Sequence, residues 1–123
     1  MRCPFCALKH TPWAIANEPY KFMEFGLLEE IVNQLTTWNP KHRFELAARG
    51  EPSFYPQFME AVTLVRTKLP LAQILVTTNT DLGEQMGWDS YRKWVGEAME
   101  RGVNIFMLDA YSANRLEILK ETF

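Results

Sequence analysis

The first residues able to do chemistry are two thiols. Cys3 and Cys6 bracket Pro4 and Phe5 in a Cys-Pro-Phe-Cys loop. A C-x-x-C pair in a chain without secretory features points to metal ligation or dithiol exchange in a reducing compartment, not to a disulfide framework. The second candidate is a carboxylate. Arg43-Phe44-Glu45-Leu46-Ala47-Ala48 leans apolar and ends abruptly in Arg49-Gly50-Glu51-Pro52. That pattern is a strand delivering Glu51 to its C-terminal end, where Gly50 lets backbone approach a ligand and Pro52 stiffens the turn. Two later apolar runs also close in polar groups, Thr77-Thr78-Asn79-Thr80 and Asp109-Ala110-Tyr111-Ser112.

Each candidate has a plainer reading. Structural zinc wants four ligands, and His10 and His42 do not stand at finger spacing from the cysteines. A glutaredoxin-like dithiol fits the local motif but needs a preceding strand and an uninterrupted helix, which Thr11-Pro12 cuts short. The pair also reads as idle thiols, Glu51 as a turn carboxylate, Asn79 as a loop cap and Asp109 as the N-cap of a last helix. Both histidines read as surface residues, and Met86, Met99 and Met107 as core filler.

The elements that must position these groups follow from periodicity. Residues 7–26 are irregular, with Pro12, Pro19 and Gly26 among the aromatics Trp13, Tyr20, Phe22 and Phe25, which read as packing under a long loop. Leu27, Leu28, Ile31, Val32 and Leu35 then recur on one face of a helix that Asn39-Pro40 stops. After the strand 43–48 comes a helix with Phe58, Val62, Val65 and Leu69 on one side, bounded by Pro56 and Pro70. Residues 74–78 form a short β-branched run of strand type. Asp89 is placed to cap a helix presenting Tyr91, Trp94, Val95 and Ala98 and closed by Gly102. A third strand is expected over 103–108, and Ser112 to Leu119 begin a fourth helix.

The strands start about thirty residues apart, the size of a strand plus its crossover helix. Strand–helix alternation at this pitch predicts the α/β class, with a parallel sheet of three βα units and at least one face covered by helices. In such sheets ligands gather at the C-terminal ends of the strands. The thiol loop, Glu51, Asn79 and Asp109 are therefore expected on one rim. The opposite ends carry ordinary punctuation such as Leu69-Pro70 and Arg101-Gly102.

Composition bounds the classes. The chain has 123 residues, enough for a single domain, and is 47% hydrophobic and 23% charged, a mix that can bury a core. A formal charge of −2 argues against a dedicated nucleic-acid surface, which needs clustered Lys and Arg. No apolar run approaches the ~20 residues a bilayer requires and no signal-peptide pattern is present, which sets the expectation of a cytoplasmic protein without a membrane partner.

The motifs, taken in order, resemble the radical S-adenosylmethionine (radical SAM) enzymes over nearly the whole chain. In that family a C-x-x-x-C-x-aromatic-C loop holds a [4Fe–4S] cluster, and S-adenosylmethionine chelates the iron left open. Cys3 and Cys6 resemble the second and third of those cysteines, and Phe5 fills the aromatic position near the adenine. Arg49-Gly50-Glu51-Pro52 is similar to the Gly-Gly-Glu-Pro turn that holds the methionine ammonium, with Arg49 in place of the first glycine. Thr78-Asn79 resembles the family's Thr-Asn turn, and Leu108-Asp109 its element near ribose or substrate. The resemblance implies a part of a (β/α)6 partial barrel, residues 1–123 forming a single incomplete core domain. The family's first cysteine would stand four residues before Cys3, ahead of Met1. A fragment, or one piece of a larger barrel, is the expectation that follows.

Three functions stay in view. The resemblance implies reductive cleavage of S-adenosylmethionine to a 5′-deoxyadenosyl radical, then hydrogen abstraction from an unknown substrate. A non-catalytic α/β unit would instead bind a partner chain over its open sheet edges, where unpaired backbone groups invite pairing. A thiol–disulfide oxidoreductase would use Cys3 and Cys6 alone.

Overall fold

Gln73–Thr78 lies at the centre of the fold, a strand hydrogen-bonded on both sides. The computed structural model describes residues 22–38, 41–46 and 50–123. In chain order these form α1 (Phe25–Leu35), β1 (Arg43–Leu46), a single 3-10 turn (Pro52–Phe54), α2 (Phe58–Lys68), β2 (Gln73–Thr78), α3 (Asp81–Met86), α4 (Trp88–Arg101), β3 (Ile105–Leu108) and α5 (Ala113–Thr122). The strands pair in sequence order, β1-β2-β3, and both pairings are parallel. Arg43 stands opposite Gln73 and Leu46 opposite Val76; Leu75 stands opposite Ile105 and Thr78 opposite Leu108. The protein is therefore an α/β protein, and its described residues form an open, all-parallel three-stranded sheet. No helix among the described residues is long and apolar enough to cross a membrane.

Strand alternation sorts side chains onto two unlike faces. Phe44, Leu46, Ile74, Val76 and Phe106 point to the face that carries the core. There the apolar stripes of three helices meet them: Leu28 and Val32 of α1, Phe58, Ala61, Val62 and Val65 of α2, and Ala98 of α4. Phe58 stacks on Trp94 at 4.8 Å, and Trp94 in turn meets the edge of Phe106 at 6.1 Å, tying α2, α4 and β3 together. The other face is different. Arg43 and Glu45 are exposed, Ile105 is 38% and Met107 47% accessible, and Leu75 alone is fully buried.

The N-terminal end of the sheet is fastened by one guanidinium. Arg66, at the end of α2, donates to the carbonyls of Pro70, Ala72 and Gly102 and to Asn104 Oδ1, all within 2.9 Å. The same Asn104 oxygen accepts from Ile74 N–H at 2.8 Å. Gly102 is integral to this staple. Its φ of +128° is a conformation that side-chain-bearing residues rarely adopt, and a Cβ there would lie 2.7 Å from Arg66 Nε.

Several expectations are corrected. Met86, Met99 and Met107 are exposed, because each lies on an outward side of its element. Leu27 and Ile31 of the first apolar stripe are also exposed, leaving Leu28, Val32 and the half-buried Leu35 to make the contact. His42 is half-buried, being drawn in at the start of β1. Asp89 does not cap α4: Gly87 holds the N-cap position and the helix begins one residue before Asp89. Of the loop aromatics, Phe22 is exposed beside Tyr55 and Phe25 packs against the core, while Trp13 and Tyr20 fall outside the described residues.

Two glycines make a paired test. Gly102→Ala should lower the urea midpoint by an amount corresponding to about 2 kcal/mol, combining positive-φ strain with displacement of Arg66. Gly96→Ala, in the middle of α4 with open space around the added methyl, should raise stability by about 0.5–1 kcal/mol. Equal effects at the two positions would contradict the staple.

Candidate functional site

The rim at the C-terminal ends of the strands is assembled around Glu51. Gly50 precedes it with φ +107°, so the turn out of β1 requires a residue without a side chain. Glu51 is the N-cap of the 3-10 turn that Pro52 opens. Its Oε1 accepts from Ser53 N–H at 3.1 Å, from Ser53 Oγ at 2.5 Å and from Thr78 Oγ1 at 2.6 Å. Its Oε2 accepts from the backbone N–H of Asn79 at 2.7 Å. One carboxylate thus satisfies donors from its own turn and from the end of β2, across 27 and 28 residues of sequence. Such charge-assisted bonds are shorter and stronger than neutral ones.

The turn after β2 is organised in the same way. Thr78, fully buried, donates to Glu51 and accepts from Thr80 N–H at 3.1 Å. Asn79 Oδ1 accepts from Asp81 N–H at 2.9 Å, so the loop-capping role expected of Asn79 is present. Thr80 is the one described non-glycine residue with positive φ, +63°, a conformation that costs on the order of 1–3 kcal/mol for such a residue. Arg115 holds it: Nη1 donates to Thr80 Oγ1 at 2.7 Å and to the Asn79 carbonyl at 3.1 Å. The guanidinium also pairs with Glu84, lies 3.7 Å from Asp81 Oδ1 and sits 5.4 Å from the centre of the Trp88 ring.

The third strand brings Asp109 to the same rim. Its N–H donates to the Thr78 carbonyl at 2.9 Å, and its Oδ2 accepts from Tyr111 at 3.2 Å. Asp109 does not cap the last helix; Ser112 does, its Oγ accepting from Arg115 N–H at 3.1 Å. Gly50, Glu51, Pro52, Asn79 and Asp109 are therefore gathered at one end of the sheet. Cys3, Phe5, Cys6 and Arg49 fall outside the described residues. Among the described residues, no group of three or more His, Cys, Asp or Glu is clustered to hold a metal ion.

Sequence reasoning missed Arg115, Ser53, the left-handed backbone of Thr80 and the short helix α3. The one local signal for α3 was the pair of acidic residues, Asp81 and Glu84, in its first turn. Arg115 gave no signal, since a cation near a helix N-terminus runs against the macrodipole.

Burial shapes the titration of two groups behind the rim. Desolvation raises the Asp81 carboxyl above its ordinary 3.8; Arg115 acts against the rise, while Glu84 and Glu51 add to it. Asp81 Oδ2 has no hydrogen-bond partner among the described residues. Burial pushes the Tyr91 phenol up to about 12, with the Thr78 hydroxyl and Arg115 pulling it down and Glu51 pushing it further up.

No protein-family model matches the chain, and searches of curated proteins and of solved structures likewise gave no match.

Two measurements test this geometry. Glu51→Ala would leave two N–H groups and two hydroxyls without their acceptor, and should cost at least about 2 kcal/mol in urea denaturation, where surface substitutions stay within about 0.5. For Asp81 the sign runs downward with pH, because an acid that holds its proton more tightly when folded loses stability as pH rises through its folded pKa. Relative to Asp81→Asn, the wild type should therefore lose unfolding free energy as pH climbs from 3.8. A difference that stays flat with pH would contradict the raised carboxyl.

Proposed function

We propose that this chain is part of the core of a radical S-adenosylmethionine enzyme, with its rim holding the cofactor. One observation carries the reading: adjacent parallel strands end in Gly50-Glu51-Pro52, Thr78-Asn79 and Leu108-Asp109, in the order the resemblance requires and on a single rim. The left-handed Gly50 supports it further, because backbone at that turn is free of a side chain where a ligand would approach. The exposed Glu45 and Met107 on the face without helices fit the inner wall of a (β/α)6 partial barrel, completed by further strands or by a partner chain along the open edges.

The donor set at Glu51 fits the methionine ammonium. A carboxylate has about four acceptor positions, two on each oxygen. Oε1 is filled, whereas Oε2 takes one donor and keeps capacity for a second. Glu51 would accept from the ammonium through that oxygen, while its bonds to Thr78 and Asn79 keep it aimed. Asp109 would accept from ribose hydroxyls or from substrate, and Phe5 would pack near the adenine. Cys3 and Cys6 would ligate the [4Fe–4S] cluster as thiolates. When bound, the cluster and S-adenosylmethionine would supply reductive cleavage to a 5′-deoxyadenosyl radical; the chain's part is to orient the cofactor and exclude water. A reducing, cytoplasmic setting follows from that chemistry.

Anaerobic reconstitution with iron and sulfide, followed by equilibrium dialysis with S-adenosylmethionine, tests the proposal. The expected result is a broad visible absorbance that Cys3→Ala and Cys6→Ala abolish. Glu51→Gln should retain that absorbance and bind S-adenosylmethionine about tenfold more weakly, equivalent to ~1.4 kcal/mol. Iron-free dithiol exchange with glutathione, lost on the same cysteine substitutions, would favour an oxidoreductase in its place.

A further inference from the structure

Arg115 stands apart from the motifs that suggest the cofactor, yet it reaches the turn that carries Asn79. It is 13% exposed and projects from the first turn of α5, on the far side of β3 in sequence from the residues it binds. A cation at that end of a helix opposes the macrodipole. Its surroundings offset this: Glu84 pairs with Nη2, Asp81 lies beside Nη1, and the Trp88 ring fixes the guanidinium from one side. What the fork reaches is the strained part of the rim. Nη1 donates to both Thr80 Oγ1 and the Asn79 carbonyl, one on the left-handed residue itself and one on the peptide just before it. The N–H of that same Asn79 donates to Glu51 Oε2.

We propose that Arg115 is a positioning residue for the cofactor rim: by clamping Asn79 and Thr80 it holds the turn in the conformation that aims Asn79 N–H at Glu51 and fixes the Glu51 carboxylate. Glu51, Asn79 and Arg115 then form one line of hydrogen bonds joining the loops after β1 and β2 to the helix that follows β3. The consequence of the clamp for ligand binding rests on the function proposed above.

The test separates the two. Amide hydrogen exchange of the whole chain is followed by NMR at Asn79 and, for reference, at Val76 in the central strand. In Arg115→Met, exchange at Asn79 should quicken at least tenfold relative to Val76. Arg115→Lys keeps the charge without the planar fork and should fall between the two; it carries the same comparison if the Met variant does not fold. Thr80→Gly removes the positive-φ strain, so in that background Arg115→Met should disturb Asn79 exchange several-fold less. Affinity for S-adenosylmethionine in Arg115→Met should fall about as far as in Glu51→Gln. Asn79 and Val76 exchange rising together, or no coupling to Thr80, would overturn the clamp. If the wild type does not bind S-adenosylmethionine while Asn79 exchange responds as expected, the cofactor reading fails and the clamp stands.

Discussion

A single carboxylate ties together the C-terminal end of this sheet. Parallel strands deliver their loops to a common rim, but nothing in strand pairing fixes those loops against one another, because backbone ladder bonds stop where the strands stop. Glu51 supplies the missing constraint. It takes donors from its own turn and from the end of β2, so the turns after β1 and β2 are bonded to each other through one side chain. Replacing it would leave the part-buried N–H groups of Ser53 and Asn79 without their acceptor, which makes this acid costly to lose.

The two ends of the sheet solve the same problem with opposite charges. At the N-terminal end a cation, Arg66, gathers carbonyl oxygens from the turns before β2 and β3. At the C-terminal end an anion, Glu51, gathers N–H and hydroxyl donors. The choice follows from backbone direction: nearby turns offer carbonyls at the first end and donors at the second. Arg115 is the exception, a cation at the acid-governed end. It is there because Asn79 turns its carbonyl away from Glu51 while giving Glu51 its N–H.

The architecture was legible because it rests on local, periodic signals. The β-branched run at 74–78 and the stripes Phe58, Val62, Val65, Leu69 and Tyr91, Trp94, Val95, Ala98 place strand and helices without reference to anything distant. The common rim then follows from parallel pairing alone, which is why Glu51, Asn79 and Asp109 could be grouped in advance. Their partners could not. A bond from Glu51 to an N–H 28 residues away has no sequence signature, and a threonine in the left-handed region is disfavoured by its own chemistry. Asp-Leu-Gly-Glu-Gln-Met lacks an apolar period, so α3 reads as loop. The methionines misled because their flexibility suits a surface as well as a gap.

Strands stacked in the order in which they are synthesised have a consequence for how the protein is made. Each pairing closes a segment of only about thirty residues, so the separation between contacting positions stays modest for a parallel sheet. The first pair can zip as soon as Gln73–Thr78 clears the ribosome, with α2 already able to shield one side. The third strand then adds to a template that exists. Strand order and chain order coincide along the described sheet, so each new strand would meet an edge already laid down.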